Sequence, residues 1–191
     1  MLLKELFADL AHSKAGSADS AANHPHWEKE VTGLSANSQS IEPGMLFIGM
    51  PGTRVDGGEF WQSALEKGAI AALVSPEAIA AKPAPESLTD ALVVTAANIP
   101  QACAELAAKF YHQPAQAMQM IGVTGTNGKT TTTHLIEYFL NQADQKTAIL
   151  GTLYTRWPGH EKTAVHTTPF PIALQSELAS AKQAACKKAV M

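Results

Sequence analysis

A glycine-rich segment, GVTGTNGKTT at residues 122–131, constrains the fold of this chain more than any other feature. It follows an apolar run, MIGVT at residues 120–124, and leads into a predicted helix at residues 129–141. Glycines let backbone N–H groups approach phosphate oxygens, and the N-terminus of a helix adds partial positive charge. A buried strand, a loop and a helix in this order predict a phosphate-binding loop, here called the phosphate loop (residues 122–128).

Two side chains that follow the phosphate loop suit a nucleoside triphosphate. Lys129 can reach the β- and γ-phosphates as a point charge, and the Thr130 hydroxyl can ligate Mg²⁺. The spacing departs from the general pattern GxxxxGK(S/T), because Val123 rather than glycine stands five residues before Gly128. The strand and helix on either side still favour a phosphate site over a glycine turn without function.

The bulk composition describes a globular chain that can bury a core, with 46% hydrophobic and 16% charged residues. A net charge of -3 gives no reason to expect nucleic acid, which is recognised by a clustered excess of Lys and Arg. No apolar run approaches the roughly 20 residues that cross a bilayer, and the N-terminus lacks the features of a secretory signal. We expect a cytoplasmic protein with neither a nucleic-acid nor a membrane partner.

The cysteines and histidines show no metal-binding pattern. The two cysteines, Cys103 and Cys186, lie in Ala-rich helical patterns without a CxxC partner, so we expect buried reduced thiols. Only His166 has neighbours that suggest a role. The remaining histidines lack ligand-like spacing and are expected to be solvated: His12, His24, His26, His112, His134 and His160.

Strands and helices alternate along the chain, which predicts an α/β fold with a mainly parallel sheet in its second half. We place a domain boundary near Ala96, giving a small α/β domain at 1–96 and the start of a second domain at 97–191. Residues 15–26 are predicted to be a surface loop, and residues 33–44 are rich in turn formers. Predicted strands lie at 45–49, 71–74, 92–95, 120–124, 147–150 and 189–191, and predicted helices at 2–10, 60–67, 76–81, 99–111, 129–141 and 169–183.

Two segments carry a family resemblance. GVTGTNGKTTT resembles the nucleotide loop of the Mur ligases and of their folylpolyglutamate synthetase relatives, and residues 38–58 (SQSIEPGMLFIGMPGTRVDGG) resemble the MurE pattern DSR, PGDLF, G, DG at matching intervals. The departures are Asn37 and Gln39, where DSR has an acid and a base, and Met45, where PGDLF has an acid. The resemblance implies ATP and Mg²⁺ as cofactors, Lys129 as the catalytic residue, Thr130 as the metal ligand, and an ATP-binding set of Gly125, Thr126, Asn127, Gly128, Lys129, Thr130 and Thr131.

The same resemblance implies a site for a UDP-linked substrate in the first domain. Arg54 can offer a charged fork to a diphosphate. HTTP at residues 166–169 resembles the family's TTP segment near the muramoyl-peptide part of the substrate, although two hydroxyls before a proline-started helix are also an ordinary N-cap. The implied contacts are Ser38, Thr53, Arg54, Val55, Thr167 and Thr168.

The reaction implied by the resemblance joins a diamino acid, meso-diaminopimelate or L-lysine, to UDP-N-acetylmuramoyl-L-alanyl-D-glutamate through an acyl phosphate. Those two substrates are the expected partners, and a monomer is expected. The resemblance spans nearly the whole chain but less than half of the usual enzyme. Residues 189–191 look like the first residues of a strand, and a strand without continuation would leave backbone groups unpaired. We therefore expect a truncated piece of a longer protein that is inactive alone.

Three alternatives remain open from the sequence. The first is a sister ligase, either another Mur enzyme or a folylpolyglutamate synthetase relative, and UDP binding separates these because the folate enzymes should lack it. The second is a non-catalytic module that binds a nucleotide sugar or ATP without reaction. A P-loop kinase ranks last, since the pattern at residues 38–58 has no role in one.

Overall fold

The structure, a computed structural model, describes residues 1–8, 10, 13–15, 24–88 and 91–191. Its backbone contacts divide the chain into two units, Met1–Phe110 and Tyr111–Met191. In the part of the chain so described, every helix is too short or too polar to cross a bilayer.

The first unit is built on a five-stranded sheet in the order β1-β5-β4-β3-β2. Strands β2 to β5 are parallel neighbours, whereas β1 pairs antiparallel with β5 at one edge. The elements in chain order are α1 (Leu3–Phe7), β1 (Ser13–Ala15), β2 (Gly33–Ser35), β3 (Met45–Ile48), α2 (Trp61–Glu66), β4 (Ala71–Val74), α3 (Pro76–Ala81), β5 (Val93–Ala96) and α4 (Ile99–Phe110).

Burial in the first unit follows the apolar strands. All four residues of β4 are inaccessible to solvent, as β3 is from Leu46 onward, which is typical of parallel strands covered on both faces. Trp61, at the start of α2, is 1% exposed and packs in a cluster with Phe47 and Ile41. Its indole N–H donates to Lys82 O at 3.2 Å, so the buried ring leaves no polar atom unpaired.

The second unit also contains a five-stranded sheet, in the order β6-β10-β7-β8-β9. Strands β6, β10 and β7 are parallel, and β8 and β9 continue the sheet as an antiparallel hairpin. A buried cluster that includes Leu150, Trp157, Leu178 and Ala189 packs α6 against this sheet. The elements are β6 (Gln119–Ile121), α5 (Lys129–Gln142), β7 (Thr147–Leu150), β8 (Tyr154–Trp157), β9 (His160–Thr163), α6 (Pro171–Gln183) and β10 (Lys188–Val190).

Helix α4 lies with the first unit, so the structural division falls after Phe110 rather than near Ala96, where the sequence analysis put it. The helix begins as expected, because Asn98 Oδ1 accepts from the Gln101 N–H at 3.1 Å. Its apolar face is buried, including Cys103 and Leu106, and the helix packs against α1.

The α/β class is confirmed, as are parallel strands in the second half, where β6, β10 and β7 are extended by the antiparallel pair β8 and β9. Most predicted elements recur within two residues of their expected bounds. Four strands were missed, namely β1, β2 and the hairpin strands β8 and β9. Strand β2 lies inside the segment 33–44 that was read as turns, and it is only three residues long. Of the predicted surface loop at 15–26, residues 16–23 lie outside the described part of the chain, as does His12.

Both cysteines are unpaired and 1% exposed, as expected for buried reduced thiols. Burial raises the pKa of the Cys103 thiol to about 11. Burial also raises the pKa of Cys186, an effect that Lys146 partly opposes. Both protection from reagent and the low thiolate fraction therefore slow thiol chemistry.

We predict that the folded chain reacts with Ellman's reagent at pH 8 at least about 100-fold more slowly than the same chain in denaturant, where two thiols react at once. Near pH 8, about one Cys103 thiol in a thousand is ionised, and this fraction rises tenfold per pH unit up to its pKa. A Cys186→Ala variant isolates Cys103. Rapid labelling of that folded variant would contradict the buried placement of α4.

Candidate nucleotide site

The phosphate loop connects the carboxyl end of β6 to the first residue of α5. Its start is fixed by the residue that follows the neighbouring strand β10, since the Val123 N–H donates to Met191 O at 2.7 Å. Gly125 and Gly128 have φ angles of 152° and 80°, a region that favours glycine, and Gly128 is the N-cap of α5. The glycines at these two positions therefore let the loop turn back onto the first residue of α5.

Lys129 and Thr130 occupy the first turn of α5. The Lys129 ammonium donates to Gly125 O at 2.5 Å, which folds the side chain back along the loop. Thr133 is buried and its hydroxyl donates to Thr130 O at 2.9 Å, so it stabilises the backbone of the first turn. The charge of Lys129 is thus held beside the loop backbone, where phosphate oxygens would lie.

A cleft of about 580 Å³ lies over the phosphate loop. Added Cβ atoms at Gly122 and Gly128 would meet nothing within 4 Å, so the loop is open on those sides and has room for a phosphate chain. Of the predicted ATP-binding residues, Gly125, Lys129 and Thr130 line the cleft, while the others lie exposed beside it. The lining consists of Gly122, Val123, Thr124, Gly125, Lys129, Thr130, Thr133, Leu150, Gly151, Thr152, Thr167, Thr168 and Met191.

Thr167 and Thr168 lie in this same cleft and are exposed. The alternative role as a helix cap is not realised, because the N-cap of α6 is Phe170 and no side chain caps that helix. Their hydroxyls are therefore available to a ligand that also reaches the phosphate loop.

Sequence reasoning missed Gly151 and Thr152, which line the cleft directly after β7. A signal was present. Strand β7 was predicted correctly at residues 147–150, and carboxyl ends of parallel strands meet at one edge of a sheet, so the residues after it belong beside the phosphate loop.

In the first unit, Ser38 begins a short 3-10 turn, Ser38–Ser40, that follows β2. Asn37 caps this turn, its Oδ1 accepting from the Gln39 N–H at 2.9 Å. The Lys67 ammonium donates to Ser38 O at 3.1 Å and to Gln39 Oε1 at 2.7 Å. Asn37 and Gln39, the two departures from the family pattern, thus stabilise the turn, and the Ser38 residue itself is 6% exposed.

Thr53, Arg54 and Val55 are exposed at the tip of the loop that follows β3. The neck of this loop is narrow, because the Gly57 N–H donates to Met50 O at 3.0 Å and a Cβ on Gly57 would lie 2.4 Å from that oxygen. Asp56 Oδ1 accepts from the Gly58 N–H at 2.8 Å and closes the turn. The arrangement presents the Arg54 guanidinium to solvent on a braced loop.

The turn at Ser38 and the loop at Thr53 share one edge of the first sheet, because they follow the adjacent parallel strands β2 and β3. Ligands of open α/β sheets bind outside the carboxyl ends of the strands. The six residues predicted to contact the UDP-linked substrate therefore fall into two groups, with Ser38, Thr53, Arg54 and Val55 in the first unit and Thr167 and Thr168 in the second.

Two family profiles match the chain. Residues 30–111 match the Mur ligase family, catalytic domain, and residues 123–191 match the Mur ligase middle domain. Together they cover well over half of the sequence. The first match ends one residue past the division seen in the structure, and the second lies wholly within the second unit.

Eight similar curated proteins share one name, UDP-N-acetylmuramoyl-L-alanyl-D-glutamate--2,6-diaminopimelate ligase. The protein from Trichormus variabilis is 53% identical over 193 aligned residues, covering 100% of this chain and 37% of its own length. The protein from Synechocystis is 60% identical over 167 residues, covering 87% of this chain and 32% of its own length. The chain thus spans about a third of the length of these relatives.

Solved structures share the fold at low identity. A UDP-N-acetylmuramoyl-L-alanyl-D-glutamate--2,6-diaminopimelate ligase matches with a TM-score of 0.67 at 20% identity, covering 100% of this chain and 35% of that one. The MurF ligase of Thermotoga maritima, in complex with ADP, matches with a TM-score of 0.51 at 21% identity, covering 83% of this chain and 31% of that one.

We predict that Lys129→Ala weakens binding of Mg-ATP to the chain roughly 10- to 150-fold, the effect of losing a charge-assisted contact of about 1.5 to 3 kcal/mol. The melting temperature without ligand should be unchanged or slightly higher, because the Lys129 bond to Gly125 is exposed and a lysine opposes the dipole at a helix N-terminus. Titration calorimetry and thermal melts measure the two effects.

Lys182→Ala is the matched control, since Lys182 is an exposed lysine in the last turn of α6. It should leave nucleotide affinity unchanged. If Lys129→Ala instead lowered the melting temperature sharply or kept full affinity, Lys129 would be a structural residue.

Proposed function

The chain belongs to the Mur ligase family, and from this premise we propose that it is the front part of an ATP-dependent ligase of peptidoglycan synthesis. The proposed reaction adds a diamino acid, with meso-diaminopimelate favoured over L-lysine, to UDP-N-acetylmuramoyl-L-alanyl-D-glutamate. Support for this substrate pair comes from relatives of that name that are 53% and 60% identical. The chain spans about a third of their length, so the activity is assigned to a longer protein.

One observation carries the proposal: Lys129 and the threonines at 167 and 168 line the same cleft. A ligase that activates a carboxylate must bring a phosphate chain and the acid together. In the proposed arrangement the phosphate loop holds the triphosphate, and the two threonine hydroxyls bind the muramoyl-peptide end of the acceptor.

Each cleft residue has a separate proposed task. Lys129 offsets charge on the β- and γ-phosphates, and the exposed amides of the phosphate loop donate to phosphate oxygens. The Thr130 hydroxyl, in the first helical turn, is the proposed ligand for Mg²⁺. Bound ATP would supply the phosphoryl group that converts the carboxylate of the acceptor to an acyl phosphate.

The first unit is proposed to hold the UDP end of the acceptor. The exposed guanidinium of Arg54 can form a bidentate pair with a diphosphate, and the short turn at Ser38 lies on the same edge of the sheet. The domain roles follow from this assignment: the first unit binds the UDP substrate, and the second begins the ATP-binding domain.

We predict that the whole chain binds UDP with a dissociation constant that is unaffected by saturating Mg-ATP and by Lys129→Ala. Arg54→Ala should weaken UDP binding roughly 10- to 150-fold, because it removes a charged contact of about 1.5 to 3 kcal/mol. Calorimetric titration measures both.

Lys29→Ala, which removes an exposed cation from the same unit, is the control and should have no effect. A folded chain that bound no UDP would count against this ligase and favour a folylpolyglutamate synthetase relative. If ATP displaced UDP, both nucleotides would bind at one site that recognises phosphate without selecting the base.

A further inference from the structure

Between β7 and α6 the chain forms an antiparallel arm, residues 151–164, that includes β8 and β9. Its base is closed by two backbone hydrogen bonds of 3.0 Å, from Gly151 N–H to Tyr154 O and from Ala164 N–H to Leu153 O. The arm joins the parallel part of the sheet through only two paired positions, Ile149 with Arg156 and Leu150 with Thr155. So short a ladder leaves much of its orientation to side chains.

Arg156 attaches the arm to α5, the helix that begins at the phosphate loop. Its Nε donates to Glu137 Oε1 at 3.0 Å and its Nη2 to Glu137 Oε2 at 2.6 Å, a two-point contact that fixes both direction and distance. Glu137 is 5% exposed. The third guanidinium nitrogen donates to Glu161 Oε2 at 3.3 Å, across the hairpin from Arg156.

The other face of the arm carries a second ion pair beside the buried Trp157. The Lys162 ammonium lies 2.6 Å from Glu177 Oε1 on α6, and Glu177 is 8% exposed. Lys162 is paired with Thr155 in the hairpin and Arg156 with Glu161, so the two basic side chains point to opposite faces of the sheet. Helices α5 and α6 thus each contribute one buried carboxylate to the same arm.

Both ends of the arm lead into the cleft. Gly151 and Thr152 stand at its start, and Thr167 and Thr168 follow its end, and all four line the cleft over the phosphate loop. A rotation of the arm would move these residues while leaving the phosphate loop attached to β6 and β10. We propose that Glu137 and Arg156 are positioning residues, which hold the acceptor side of the cleft at a set distance from the phosphate loop.

The first test needs no ligand and no assumption about the reaction. Changing Arg156 alone would leave the buried Glu137 carboxylate without a partner, so the test uses the double variant Glu137→Met/Arg156→Met. Two apolar residues of similar length keep the packing. Amide order parameters of the whole chain are then measured by NMR. Those of Thr152, Thr167 and Thr168 should fall toward about 0.6, while those of residues 125–130 stay unchanged.

The second test rests on the proposed function and uses three probes: UDP, UDP-N-acetylmuramoyl-L-alanyl-D-glutamate and Mg-ADP. In the parent chain, the muramoyl dipeptide should make UDP-N-acetylmuramoyl-L-alanyl-D-glutamate bind more tightly than UDP. In the double variant, this ratio of affinities should fall at least about tenfold. UDP alone and Mg-ADP should bind within about threefold of the parent chain. Lys4→Met is the matched control, since it breaks a 2.7 Å ion pair with Glu28 in the first unit.

The outcomes separate the two ideas. If the double variant keeps the order parameters of the parent chain and the same ratio of affinities for the muramoyl dipeptide and UDP, the positioning role is overturned. Glu137 and Arg156 would then affect only stability. Equal weakening of all three probes also overturns it, because the effect would then be general. If the order parameters fall but the parent chain gains nothing from the muramoyl dipeptide, the positioning role stands and the proposed acceptor fails.

Discussion

Strand β10 is the constraint on which the second unit depends. It lies between β6 and β7 and pairs parallel with both, so three residues near the end of the sequence join segments about 25 residues apart. Ala189 and Val190 are fully buried, and Met191 both donates to Ile121 O and accepts from the Val123 N–H. The start of the phosphate loop is therefore hydrogen-bonded to a strand that is more than 60 residues away in sequence.

This dependence explains which features the sequence could predict. The positions of the glycine-rich loop, α5 and β7 were predicted correctly because glycine chemistry, helical spacing and a continuous apolar run are local signals. The central position of β10 could not be read, since strand order depends on non-local pairing. The cleft residues Gly151 and Thr152 could have been recognised from the sequence, because β7 was predicted correctly and its carboxyl end lies on the same edge of the sheet as that of β6.

The missed hairpin shows a different limit. Strand β9 (HEKT) is exposed throughout, so it has no apolar alternation, and only the Pro158-Gly159 turn marks it in sequence. The backbone ladder to β8 holds this polar segment, and two ion pairs join the hairpin to the helices, Arg156 with Glu137 on one face and Lys162 with Glu177 on the other. Glu137 lies on the same helix as Lys129, and nothing in its local sequence distinguishes a buried carboxylate from a solvated one. The pairing of Glu137 with Arg156 is known only from the structure.

In both units, the candidate ligand-binding residues follow the carboxyl ends of parallel strands. A parallel strand points its carboxyl end at the edge where the next helix or turn begins, so backbone N–H groups and exposed side chains gather there. In the first unit this edge carries Ser38 and Arg54, and in the second it carries the phosphate loop and Thr152. Arg54 stands on a loop braced by Asp56 and Gly57, whereas Lys129 stands on a helix. Anionic ligands at both edges would thus meet a cation whose backbone is already fixed, which reduces the ordering that binding requires.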